Sequence, residues 1–161
     1  DAAVAARRKS GEWHPLFHTI ATIGFALVYA AYLGVAESAR DLAVELAKRK
    51  TPTRYVVDLA GRMETELAGA RMAHESMLAV VRKNAPSAAT INETMMGRQL
   101  VERHAIPQVE RQRARQLFYR SAGLERKFRD IQAARYHPLQ AGPQAEYAGS
   151  MALGLPVDRI F

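Results

Sequence analysis

Hydrophobic positions recur along this chain at three- and four-residue steps, with no sustained alternation, so the pattern predicts helices and no sheet. A first helix starts after Pro15 and runs to about Lys50. Its centre, Ile20 to Ala36, is apolar and uncharged, and its second half carries Ala39, Leu42, Ala43 and Leu46 on one side. Lys48, Arg49 and Lys50 fall in the last turn, where cations suit the helix dipole. Thr51-Pro52-Thr53 breaks the chain. A second helix spans about Arg54 to Asn84, with the stripe Val56, Ala60, Met63, Leu67, Ala70, His74, Met77 and Val81 as the clearest amphipathic pattern. His74 reads as a packed histidine, and Met63, Met72 and Met77 as core filler.

Asn84-Ala85-Pro86-Ser87 forms the next turn, and Thr90 with Glu93 has the spacing of a capping box. A third helix then runs to about Ser121. Pro107 lies inside it and is expected to bend or interrupt it. After Gly123 a short helix covers Leu124 to about Tyr136, stopped by Pro138. A last helix runs from about Pro143 towards Leu153. Three long helices on tight connections must run up, down and up, and the two short segments can supply a fourth column. The expectation is an all-α, antiparallel four-helix bundle, up-down-up-down, with a short terminal helix.

Composition changes this picture little. The chain has 161 residues, 48% hydrophobic and 24% charged, which suits one soluble domain. It has no Cys, which excludes disulfides, thiolate metal sites and a Cys nucleophile. Ile20 to Ala36 is shorter than the roughly 20 residues of a membrane span. It runs on into the amphipathic ESARDLAVELAKRK, so it is expected to be a helix centre buried on most sides, with no membrane partner. The net charge is +7, but acids are interspersed, and ERQRARQLFYR (Glu110 to Arg120) reads as a solvated face, with a phosphate-facing surface as the alternative. Aromatics do not interleave with these arginines at stacking spacing, so nucleic acid is not an expected partner. His14 and His18 stand four apart, but Pro15 lies between them and no third ligand is evident, so no metal site is expected.

The segment GLERKFRDIQAARYHPLQAGPQAEYAGSMALGLP, Gly123 to Pro156, carries Arg129-Asp130 near its start and His137-Pro138 shortly after. It resembles the C-terminal end of the acyl-CoA dehydrogenase superfamily, closest to its flavin-dependent monooxygenase-like branch. LGVAESARDLAVELAKRK is similar to the first bundle helix of that family and LAGRMETELAGARMAHESM to the second. The resemblance implies that residues 14–161 are the C-terminal bundle of a flavoprotein and that residues 1–13 are a linker from a missing upstream domain. It further implies an N-terminal helical domain and a β-domain upstream, FAD or FMN in the full-length protein, a dimer or tetramer, a flavin reductase as a further partner, and a cytoplasmic location. The bundle alone is expected to bind flavin weakly and to turn nothing over.

Site residues follow from the same resemblance. The dehydrogenases carry a catalytic Glu shortly after the RD motif. Here RYHPLQAGPQ stands in that place, with no carboxylate between Asp130 and Glu146. That argues against ordinary α,β-dehydrogenation, for which Glu37 on the first helix is the alternative base. His137 fits the monooxygenase branch, as a hydrogen-bond partner and proton relay beside the flavin; it also fits a plain helix-end role. Arg49 and Arg129 are candidates for contact with a cofactor phosphate. RKTPT keeps Arg49 but lacks the Phe-Gly of the relatives' RxxFG segment. Asp130 is expected to be structural, in an ion pair with Arg129 that fixes the short helix against the bundle. A non-enzymatic basic helical module for oligomerisation or binding is the remaining alternative.

Overall fold

A computed structural model describes residues 16–49, 51–115, 123–137 and 140–157, the side chains of 111–115 excepted. The described chain is all-helical, without strands. Its elements are α1 (Leu16–Lys48), α2 (Arg54–Lys83), α3 (Ala88–Arg115), α4 (Leu124–Gln132), a 3-10 turn (Ala133–Arg135) and α5 (Ala141–Ala152). Residues 1–13, His14, the expected end of α3 near Ser121, and Pro138 lie outside the described residues.

Local chemistry sets the boundaries. Thr53 caps α2, its side chain accepting from the Val56 amide, and Asn84 closes that helix in the left-handed region at φ 47°. The box that starts α3 differs from the expected Thr90–Glu93 pair. Ser87 Oγ accepts from the Thr90 amide at 3.2 Å, and Thr90 Oγ1 accepts from the Ser87 amide at 2.8 Å. The reciprocal pairing of a capping box is therefore made one turn earlier, with Thr90 as its inner member. Glu93 instead reaches back to Lys83 at 2.7 Å. Pro107 sits inside α3 without ending it.

Contacts between the long helices run in opposite order along α1 and α2: Arg40 meets Glu64, Glu37 meets Arg71, and the Ala26 carbonyl meets His74. The same holds between α2 and α3, where Lys83 meets Glu93 and Glu66 meets His104. The core between the three helices is built from Ala26, Leu33, Ala36, Leu67, Ala70, Met77, Val101 and Ala105, with Leu124, Ile131 and Ala134 closing it from α4 and the turn. A second cluster of Ala21, Ile91, Met95 and Tyr147 seats α5. The α2 stripe is buried as its periodicity predicts at Met63, Leu67, Ala70, His74 and Met77. Met72 is not core filler. It is 68% exposed, two residues from His74 and so on the far face of the helix.

The expected burial of α1 on most sides does not hold. Ala21, Ala26, Tyr29, Leu33, Ala36 and Ala39 are buried. Leu16, Ile20, Ile23 and Leu27, again at three- and four-residue steps, are 43–67% exposed. Every described element that packs on α1 reaches it from one side, so a helix apolar all round has one stripe used and one uncovered. By length and composition α1 could cross a membrane, with an 18-residue window of mean hydropathy 1.8 of which 28% is buried.

At Gly97 α3 packs closely on α2. A Cβ there would stand 2.5 Å from Met77 Cγ, whereas one at Gly61 would meet nothing within 4 Å. Ala gains about 1 kcal/mol over Gly inside a helix, and overpacking costs about 1–3 kcal/mol. Gly61→Ala should therefore stabilise the fold by up to about 1 kcal/mol. Gly97→Ala should destabilise it by about 1 kcal/mol net. Urea unfolding of the two variants checks both signs.

Candidate functional site

Arg98 is the largest fully buried side chain, at 0% exposure in the middle of α3. It lies on that helix's inner face with Ile91, Met95, Val101, Ala105 and Val109, all buried. A guanidinium taken out of water needs its N–H groups met. Arg98 Nη1 donates to the Tyr29 phenol oxygen at 2.7 Å and to the His137 carbonyl at 3.3 Å. Its carbon also stands 5.5 Å from the centre of the Tyr29 ring. Nη2 has only a 3.5 Å contact with Gln99, and Nε is buried without a partner. No described carboxylate forms a salt bridge with Arg98. The neighbouring acid is Glu102, one turn along α3; partial burial raises its pKa, and Arg98 and Arg135 work against that rise.

Tyr29, from the core face of α1, completes the cluster. Its hydroxyl oxygen is 2.7 Å from the Ala134 carbonyl and 2.8 Å from the His137 carbonyl. One phenol has one proton to give. Together the two side chains meet both carbonyls: the phenol donates to Ala134 or His137, and Arg98 donates to His137 and to the phenol oxygen. Burial pushes the Tyr29 hydroxyl up to about 12, with Arg98 opposing, so it stays a neutral donor.

The residues singled out by sequence fall in different places. His137 stands at the end of the 3-10 turn with an exposed side chain and a tethered carbonyl. Glu37 is ion-paired with Arg71 at 2.8 Å on the α1–α2 side. It lies eight residues beyond Tyr29, about 12 Å along the helix, so the fold does not bring it to His137. Arg49 is exposed just past the end of α1, about 30 Å along the axis from Tyr29. The Arg129–Asp130 pairing is not made. Arg129 pairs with Glu125 at 2.8 Å, and Asp130 lies 3.7 Å from Arg126, both within α4. These exposed i,i+4 pairs fix no helix to another. Leu124 and Ile131 do that instead, together with Lys127 on Ser38. His74 is packed, its Nε2 donating to the Ala26 carbonyl at 2.9 Å.

His18 is half-buried, and desolvation lowers its pKa. Among the described residues no group of three His, Asp or Glu could hold a metal ion. A cleft of about 20 Å³ beside Thr19, Thr22, Val80 and Pro86 has room for a water and not for a ring system.

Tyr29 and Arg98 were missed by the sequence reading, although a signal existed. Arg98 interrupts an apolar stripe, and a core-facing Tyr needs a polar partner. No protein-family model, curated protein or solved structure matches this chain.

The Tyr29 shift has a consequence for stability. A phenol raised from 10 to about 12 in the folded state favours folding fully below pH 10, and that contribution is lost as pH rises through about 12. Two units correspond to up to about 3 kcal/mol. Alkaline unfolding followed by circular dichroism should steepen between pH 10 and 12. Tyr29→Phe, which has no phenol to ionise, should lose less stability over that window.

Proposed function

We propose that this chain is the C-terminal bundle of a flavin-dependent oxidoreductase of the acyl-CoA dehydrogenase type, of the monooxygenase branch when full length. In this reading the chain is an antiparallel four-helix bundle whose fourth column is broken into α4 and α5. The stepwise contacts of that column support this: Lys127 on Ser38, then Ala134 and His137 on Tyr29, then Tyr147 beside Ala21. The observation that carries the functional reading is the end of the RD segment. A buried Tyr and a buried Arg hold two main-chain carbonyls, and His137 is exposed at that point beside Arg135 and Tyr136.

The donor set fits one wall of a flavin site and no more. His137 offers an exposed imidazole that can hydrogen-bond and pass a proton near neutral pH. FAD or FMN, when bound, supplies the redox chemistry and the reaction with oxygen. The other walls belong in this reading to an upstream β-domain and to a second copy of the bundle. Arg49, at the far end of α1, could meet a cofactor phosphate only on such a copy. Arg129 would have to leave Glu125 to do the same. The dehydrogenase alternative loses support because Glu37 is held by Arg71.

The exposed row Ile20, Ile23 and Leu27 supports self-association, since a row of large apolar side chains in water favours burial. The protein should sediment as a dimer or tetramer at tens of micromolar. The double variant Ile23→Glu, Leu27→Glu should sediment as a monomer with unchanged helix content. A wild-type monomer in detergent-free buffer that partitions into lipid vesicles would replace the oligomer by a membrane surface.

The chemistry is tested in the flavin-loaded enzyme. Loss of one hydrogen bond of about 1–3 kcal/mol in a dry site corresponds to roughly 5- to 150-fold in rate. His137→Ala should raise hydrogen peroxide release per reduced flavin within that range. Rapid anaerobic reduction of the flavin by an acyl-CoA, abolished in Glu37→Gln and intact in His137→Ala, is the result that would overturn the oxygenase reading.

A further inference from the structure

The Tyr29–Arg98 pair lies on helices whose partners are 69 residues apart in sequence, yet both side chains converge on one four-residue stretch, Ala134 to His137. A core needs neither a phenol nor a guanidinium at these positions. Phe and Met would fill similar space without the cost of an unpartnered buried Nε. What the polar pair adds is direction. Hydrogen bonds to the Ala134 and His137 carbonyls fix the peptide planes on both sides of the turn, and with them the Cα–Cβ vector of His137.

The remainder of the turn has a main-chain bond of its own, the Tyr136 amide on the Ala133 carbonyl at 3.1 Å, and that bond ends before His137. Arg135, Tyr136 and His137 are exposed, and the Arg135–Glu110 pair at 3.0 Å is a half-exposed one of small worth. Ala134 is the buried side chain of the turn, and a methyl group cannot set a rotation by itself. The orientation of the main chain at His137 therefore depends on the two buried donors.

We infer that Tyr29 and Arg98 are positioning residues for His137: a buried latch that aims its imidazole through the main chain without touching it. This inference rests on the reading above for the use made of His137, but the latch itself is a property of this chain and is tested without flavin. In protein labelled with ¹⁵N-histidine, the ring signals absent from His137→Ala identify residue 137. Tyr29→Phe removes one oxygen and keeps the ring. It should move the His137 ring signals and raise amide exchange from Ala134 to His137 by about tenfold or more, while Ala70 and Ala73 in α2 stay within a factor of about two. Arg98→Met should act in the same direction, and Arg98→Lys should return the ring signals part of the way.

Unmoved ring signals with unchanged exchange in Tyr29→Phe overturn the latch. So does a uniform rise in exchange along the whole chain, because the pair would then be general core. In the flavin-loaded enzyme, Tyr29→Phe should raise peroxide release, and combining it with His137→Ala should add little to the latter alone. If His137→Ala itself leaves peroxide release unchanged, the flavin role of His137 fails, and the ring signals still decide the latch.

Discussion

A buried guanidinium that forms no salt bridge with any described carboxylate is the constraint around which this fold is arranged. Arg98 cannot give up its charge, and its desolvation is costly unless oxygens are supplied. The chain supplies them from a phenol on α1 and a carbonyl at the end of the 3-10 turn. Three elements distant in sequence must therefore meet at one point, and little freedom remains in how they meet. The α1–α3 spacing must seat the Tyr29 ring against the guanidinium. The turn after α4 must bring its carbonyls inward. Apolar packing alone would permit small slides of α4 along the groove between α1 and α3; the directionality of the hydrogen bonds does not.

The exposed ion pairs contribute little to this arrangement. Arg62–Asp58, Arg82–Glu75 and Arg129–Glu125 each lie on one helix, with side chains about half exposed or more. Such pairs are worth a few tenths of a kcal/mol. The cross-helix pairs Arg40–Glu64 and Arg71–Glu37 help register α1 on α2, but the buried row of Leu67, Ala70 and Met77 already fixes that register. The RD motif illustrates the same distinction. Its two charged residues neutralise neighbours on their own helix, and the anchoring falls to Leu124 and Ile131.

What was legible in the sequence is what depends on local pattern. The stripe of α2, the Thr51-Pro52-Thr53 break and the turn after Lys83 each follow from a few adjacent residues. Three features were not legible, each for its own reason. The Ser87–Thr90 box was hidden because Thr90 with Glu93 offers the same spacing, and the choice depends on where the chain enters the helix. The outer face of α1 looked buried because apolarity shows that a face wants cover and not whether cover is present. Arg98 was passed over because Arg is rarely buried. Only its position on the same stripe as Ile91, Met95 and Val101 marks it as internal. The site residues Glu37, Arg49 and Arg129 came from likeness of segments, and segment likeness says nothing of distance. The fold pairs Glu37 with Arg71 and Arg129 with Glu125, and leaves Arg49 exposed past the end of α1.

The way His137 is held separates its chemistry from its structure. Its contribution to the fold runs through the carbonyl, which every residue has; its imidazole is exposed and bears no load in the core. Replacing the side chain therefore leaves the latch intact, whereas breaking the latch leaves the imidazole present but unaimed. A residue kept for packing or capping would show the reverse coupling, with side-chain loss felt in stability. The side chain at this position is thus free to be chosen by function, under a main chain whose position the core has already decided. The latch therefore rests on the side chains of Tyr29 and Arg98, which meet the main chain of this turn.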